Sequence, residues 1–190
     1  MHIPKGWKLR LVEAHSLLID TSGKSEWSIA PEDIQENINT ANSNASNALS
    51  AANTAQASAN SANSLLADLA NDNKLTPVEK QQVKTEWDQI QSEKPIINNQ
   101  APNYSISTIN YDSNYQNLNS YLTNNGLLND LNTTSDIIGT DFRNYFKNYY
   151  TAKVNLLKEI SDKAKQIADD ANAAAQNAQT TAQNAQNGVS

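Results

Sequence analysis

Apolar residues in the first long tract of the chain fall at Ile34, Ile38, Ala41, Ala45, Ala48, Ala52, Ala55, Ala59, Ala62, Leu66 and Leu69. The steps alternate four and three without a break, which is the seam of a coiled-coil helix. Asn, Ser, Thr and Gln fill the positions between. Asn and Ser are mediocre helix formers, so this helix must draw stability from partner helices. Alanine permits close packing but buries little area per residue, which leaves most of the grip to Ile and Leu at the two ends. A second tract repeats the rhythm at Ile160, Ala164, Ile167, Ala171, Ala174 and Ala178, and continues at Ala182 and Ala185 after a one-residue slip. Gly188 is a suitable stop.

Between the tracts the pattern changes. In "NKLTPVEKQQVKTEW", Thr76 fits an N-cap, Pro77 the first helical position and Glu79 the third, a capping box. Trp87 and Ile90 then share a face, and Pro95 is expected to end the helix, with a loop over 96–107. A second helix is predicted over 109–123, with Tyr111, Tyr115, Leu118 and Leu122 inward, broken at Asn124, Asn125 and Gly126. A third follows with Thr140 as N-cap and Asp141 in its first turn; Phe142, Phe146, Tyr149, Lys153 and Leu156 form its stripe.

The N-terminal strip behaves differently. Trp7, Leu9 and Leu11 alternate with Lys8 and Arg10, a strand pattern, and "DTSGKSEWS" offers a turn into another short strand. Pro31, Glu32 and Asp33 open the first helix, with Ser28 or Ala30 before it. The expected class is therefore all-α. Ala-rich coiled-coil helices flank a small three-helix bundle with an aromatic core, and a short β-hairpin or strand segment precedes them. The expected divisions are 1–30 for docking, 31–70 for the first coil, 71–160 for the bundle and 161–190 for the second coil.

Composition narrows the chemistry. The formal charge is -6 and the pI about 4.8, the wrong balance for a nucleic-acid binder. There is no cysteine and there are two histidines, His2 and His15, both far from the aromatic segment. Neither a nucleophile–base–acid set nor a Gly-rich phosphate loop can be assembled, so no catalytic residue and no cofactor is assigned. "DLANDNKLTPVE" places Asp68, Asp72 and Glu79 at the first, fifth and twelfth positions of a calcium loop. Ala70 and Asn73 stand at its third and sixth positions, and the capping box accounts for Glu79 without a metal. No metal site is assigned. No apolar run is long enough to span a membrane and no secretion signal is read. Tyr104, Tyr111, Tyr115 and Tyr121, among many asparagines, raise saccharide binding as an alternative to simple core packing.

The stretch from Leu75 to Pro95, continued by "YDSNYQNLNSYL" and "TSDIIGTDFRNYFKNYYTAKVNLLKEI", resembles a helical module of phage tail and tail-fibre proteins. The residues that carry the resemblance are Leu75, Thr76, Pro77, Glu79, Lys80, Trp87, Ile90, Tyr111, Tyr115, Leu118, Phe142, Phe146, Tyr149 and Tyr150. "SGKSEWS" separately resembles the final strand region of a fibronectin type III domain, with the rest of such a domain absent. The first resemblance implies a structural part of the tail fibre or baseplate of a phage of Gram-positive bacteria, homotrimeric and without catalysis. It would be assembled in the host cytoplasm and be extracellular after lysis. Its implied partners are other tail or baseplate proteins and host cell-surface saccharide. A saccharide-binding tail module and a bacterial adhesin stalk are the alternatives. Whether the two coils fold back on each other or form separate parallel stalks is open in the sequence.

Overall fold

The computed structural model describes residues 7–12, 15–20, 25–27, 31–69, 71–124 and 126–188, with side-chain surroundings from residue 35 onward, save 67, 124, 182, 185 and 186. The expectations for Ser28, Ala30 and Ala70, and for the side chains of Ile34, Ala182 and Ala185, lie outside the described residues. The fold is all-α with short strands. Strands β1 (Trp7–Val12), β2 (His15–Asp20) and β3 (Ser25–Trp27) form an antiparallel meander. Trp7 stands opposite Asp20 and Leu17 opposite Trp27. Helix α1 (Pro31–Leu69), strand β4 (Lys74–Leu75), helices α2 (Pro77–Gln100) and α3 (Ile109–Asn119), strand β5 (Ser135–Asp136) and helix α4 (Gly139–Asn187) follow. The chain divides into two compact units, 47–163 and a second made of 1–46 with 164–190.

In the larger unit the second half of α1 packs with α2, α3 and the first part of α4. Lys94 and Asn98 of α2 meet Asp112 of α3, and Trp87 meets Tyr115, so these two helices run antiparallel. Tyr111 meets Tyr149 and Tyr121 meets Phe142, which sets the chain after Thr108 antiparallel to α4. Asn63 and Leu66, near the end of α1, line one groove with Arg143 and Lys147, near the start of α4. The arrangement is an up-down-up-down bundle. Its core takes in Ala55, Ala59, Ala62, Leu66 and Leu69 beside the aromatic side chains, so α1 adds a fourth helix to the three predicted around that core.

Every described seam position of α1 is buried or half-buried, while most positions between them are exposed. Two i,i+4 side-chain bonds support the outer faces, Gln35 to Asn39 and Gln56 to Asn60, each at 3.0 Å. In the smaller unit α1 and α4 also lie side by side: Asn172 donates to Asn42 at 3.3 Å, and Ile38, Ala164 and Ala168 are buried. The seams of α1 and α4 are thus used against each other within one chain.

Four expectations change. Pro95 does not end α2, which runs on to Gln100 and into a 3-10 turn over Ala101–Tyr104, so of the loop expected over 96–107 only 105–107 is irregular chain. The helix survives because both flanks of the proline are tied to α3: Lys94 and Asn98 donate to one carboxylate oxygen of Asp112 at 2.6 and 2.9 Å. Thr140 is not the cap of α4 but its second residue; the carbonyl of Ile138 accepts the first bond from Phe142 at 3.0 Å. The seam of α4 does not run through Ile167 and Ala174. Ile167 is 44% exposed, Ala168 3%, and Ala175 rather than Ala174 is half-buried. Both phases share Ala164, Ala171 and Ala178.

Candidate functional site

The motif "DNKLTPVEK" ties one end of the bundle together. Asn73 adopts a left-handed conformation (φ 60), which Asn tolerates better than most residues. There its carbonyl accepts from the Ile137 amide at 2.9 Å, and its side-chain oxygen accepts from the Gly139 amide at 3.0 Å. Asn73 therefore caps α4 from across the fold, the task the sequence reading gives to Thr140. Lys74 pairs with Asp136 at 2.9 Å in the open, and Leu75 is fully buried beside it. Thr76 begins α2 with extended geometry. Its amide and hydroxyl both donate to the Glu79 carboxylate at 2.8 Å, and the Glu79 amide returns a bond of 3.4 Å. With Glu79 engaged in this way, the calcium-loop pattern loses its twelfth ligand. No group of three or more His, Cys, Asp or Glu side chains able to hold a metal occurs among the described residues.

Lys80 is 1% exposed, and its ammonium donates to the backbone carbonyl of Asp130 at 2.7 Å. The Asp130 carboxylate folds back on its own turn, accepting from the Asn132 amide at 2.9 Å and the Thr133 hydroxyl at 2.8 Å. The Asn132 bond first, then Thr133, holds that carboxyl below its ordinary value. The lysine of the motif is thus a buried nail for the loop between α3 and β5.

The aromatic side chains stack through the middle of the bundle. Trp87 lies on Tyr115 at 5.2 Å, Tyr111 and Tyr149 share a bond between their hydroxyls at 3.2 Å, and Phe142 meets Phe146 at 5.1 Å. Ile90, Tyr111, Leu118, Phe142, Phe146 and Tyr149 are buried, as is Trp87; Tyr115 is half-buried. Burial, foremost, pushes the Tyr111 hydroxyl up to about 12, and raises those of Tyr149 and Tyr150 as well. Polar ties fix α2 against α4: the Tyr150 hydroxyl donates to Glu86, and the buried Lys153 pairs with Glu93. Asp112 collects Lys94, Asn98 and the Thr108 hydroxyl at 2.6 Å. Burial opposes the Asp112 charge, but those bonds outweigh it and hold the carboxyl below 3.8.

Of the four tyrosines raised for saccharide contact, Tyr111 is sealed in the core, Tyr115 is covered by Trp87 and Lys94, and Tyr104 is half-buried. Tyr121 lines an open cleft. It stacks on Tyr145 at 4.4 Å with planes 23° apart. The cleft, about 390 Å³, is lined by these two rings with Leu127, Ser135, Asp136, Ile137, Ile138 and Asp141. The sequence reading places Lys153 on the inner stripe of α4, where it is buried, and misses Tyr145, Asn73, Lys80 and Asp112 as placed groups. Lys80 gives a usable signal, since it is a charged residue standing in phase with an apolar stripe.

Among the described residues, no helix is long and apolar enough to cross a membrane. No family model matches the chain, and no solved structure matches it. The chain is similar to a tail fiber protein of Enterococcus phage phiEF24C, with 43% identity over 100 residues, 53% of this chain. It spans only 5% of that protein's length, so about half of this chain is related to a small piece of a much longer tail fiber protein.

Proposed function

We propose that the chain is a structural component of a phage tail fibre, positioning the host-attachment apparatus and performing no catalysis of its own. The observation that carries this is the 43% identity to a tail fiber protein. The geometry agrees with it in kind. The polar groups of the bundle are spent on caps, a loop nail and interhelical ties, and the long Ala seams are spent on pairing α1 with α4. In this reading the chain resides in the virion, next to other tail or baseplate proteins. A homotrimer, the assembly that the sequence resemblance implies, would bring three already paired hairpins together through faces outside the seam. The test is mass spectrometry and immunogold labelling of purified virions. Recovery of the chain with label at the distal tail is expected, and absence from virions would overturn the reading. Recognition of host saccharide is a second reading, favoured by one observation, the tyrosine-lined cleft beside the start of α4.

A further inference from the structure

We infer that the cleft between the π-helical turn Ser120–Asn124, the Ser135–Ile138 segment and the first two turns of α4 binds a neutral or cationic pyranose, with Tyr145 as platform and Asp141 as hydroxyl acceptor. The inference rests on the saccharide reading and gives it a place. Each of Tyr121 and Tyr145 spends one face on the other, and Tyr145 keeps 36% of its surface open. Such a fixed ring offers an apolar plane to the C–H face of a sugar at little entropic cost. Ile137 and Ile138 continue that apolar wall, and Ile138 is strongly exposed.

The polar lining sets the ligand class. It holds Asp136, Asp141 and Ser135 and no Lys or Arg. Lys74 neutralises Asp136, while Asp141 has no ion-pair partner among the described residues. Ionised carboxylates accept strongly from hydroxyl or ammonium groups and repel phosphate and carboxylate. Burial, then the Asp141 charge and Tyr145, push the Tyr121 hydroxyl up to about 12, so it stays a proton donor at neutral pH. A stacked ring, an unpaired acceptor and a phenolic donor in one open cleft suit a sugar and disfavour a teichoic phosphate or a uronic acid.

The test is a two-dimensional NMR titration of the full chain with N,N′-diacetylchitobiose, glucosamine and glucose 6-phosphate, each to about 50 mM, the range that reads millimolar affinity. Shifts from one or both uncharged or cationic sugars, mapping to 121, 135–138 and 141–145, are expected, with none from the phosphate. Tyr145→Ala should weaken binding roughly tenfold, the scale of one lost aromatic contact. Asp141→Asn, an exposed and isosteric change, should weaken it severalfold and keeps the test open if Tyr145→Ala does not fold. Shifts that map elsewhere would overturn this site and leave saccharide recognition standing. No shift from any sugar would overturn both. Equal binding of glucose 6-phosphate, or no effect of Asp141→Asn, would overturn the assigned chemistry.

Discussion

Single side chains at the bundle's closed end carry more than their sequence signal implies. Replacing Lys80 by Met keeps the aliphatic stem but removes the charge-assisted bond from its ammonium to the Asp130 carbonyl. The expected loss is about 1–3 kcal/mol in urea unfolding. Lys84→Ala, which removes an exposed i,i+4 pair with Asp88, should cost within ~0.5 kcal/mol. Equal effects of the two changes would contradict the buried nail. The tyrosine core sets an alkaline limit. In the unfolded chain these hydroxyls ionise near 10, whereas Tyr111 is held up to about 12 in the fold and Tyr149 and Tyr150 are also raised. The folded state then binds more protons than the unfolded one, so stability is full below pH 10 and falls as pH rises toward the folded values. Urea midpoints at neutral and alkaline pH check this, and Tyr111→Phe should flatten the decline. On the acid side the Asp112 carboxyl is held below 3.8, so its contribution is present above that pH and fades as pH falls through the folded value. The cap was half legible at this scale: Thr76 and Glu79 were readable because a capping box is local. Asn73, which caps α4 over 66 residues of separation, was not, because no local rule joins it to Gly139.

Whole elements were more legible than their ends and phases. The three–four rhythm of Ala and Ile predicts α1 along its length, since a seam that holds phase has one helical solution. The same rule misplaces the seam of α4, because hydrophobicity favours Ile167 while the fold buries Ala168. Ala168→Asp should therefore cost roughly 2–4 kcal/mol by burying an unpaired carboxylate, and Ile167→Asp much less. Circular dichroism with amide exchange over 160–178 reads the difference, and the reverse order would restore the phase expected from sequence. The proline rule failed at Pro95 for a tertiary reason, the double tie of Lys94 and Asn98 to Asp112. Pro95→Ala should restore an amide bond inside α2 and raise stability by roughly 1–3 kcal/mol, less the entropy it returns to the unfolded chain. A drop in the urea midpoint would mean that the helix needs the bend.

At the scale of the molecule, the sequence left open whether the Ala tracts pair with each other or assemble separate stalks. Periodicity fixes a face but not the partner of that face. The structure pairs them within the chain, and the structural role proposed for it follows from that pairing together with the similarity to a tail fiber protein. The chain has no cysteine, so one engineered pair reports without background. Asn42 and Asn172 bond at 3.3 Å through their side chains, which makes Asn42→Cys with Asn172→Cys the most direct probe. After oxidation and denaturation, a disulfide closed within a single chain of 20.8 kDa is expected. A ladder of covalent multimers would mean that α1 meets α4 of another copy, and would contradict the pairing of α1 with α4 within one chain.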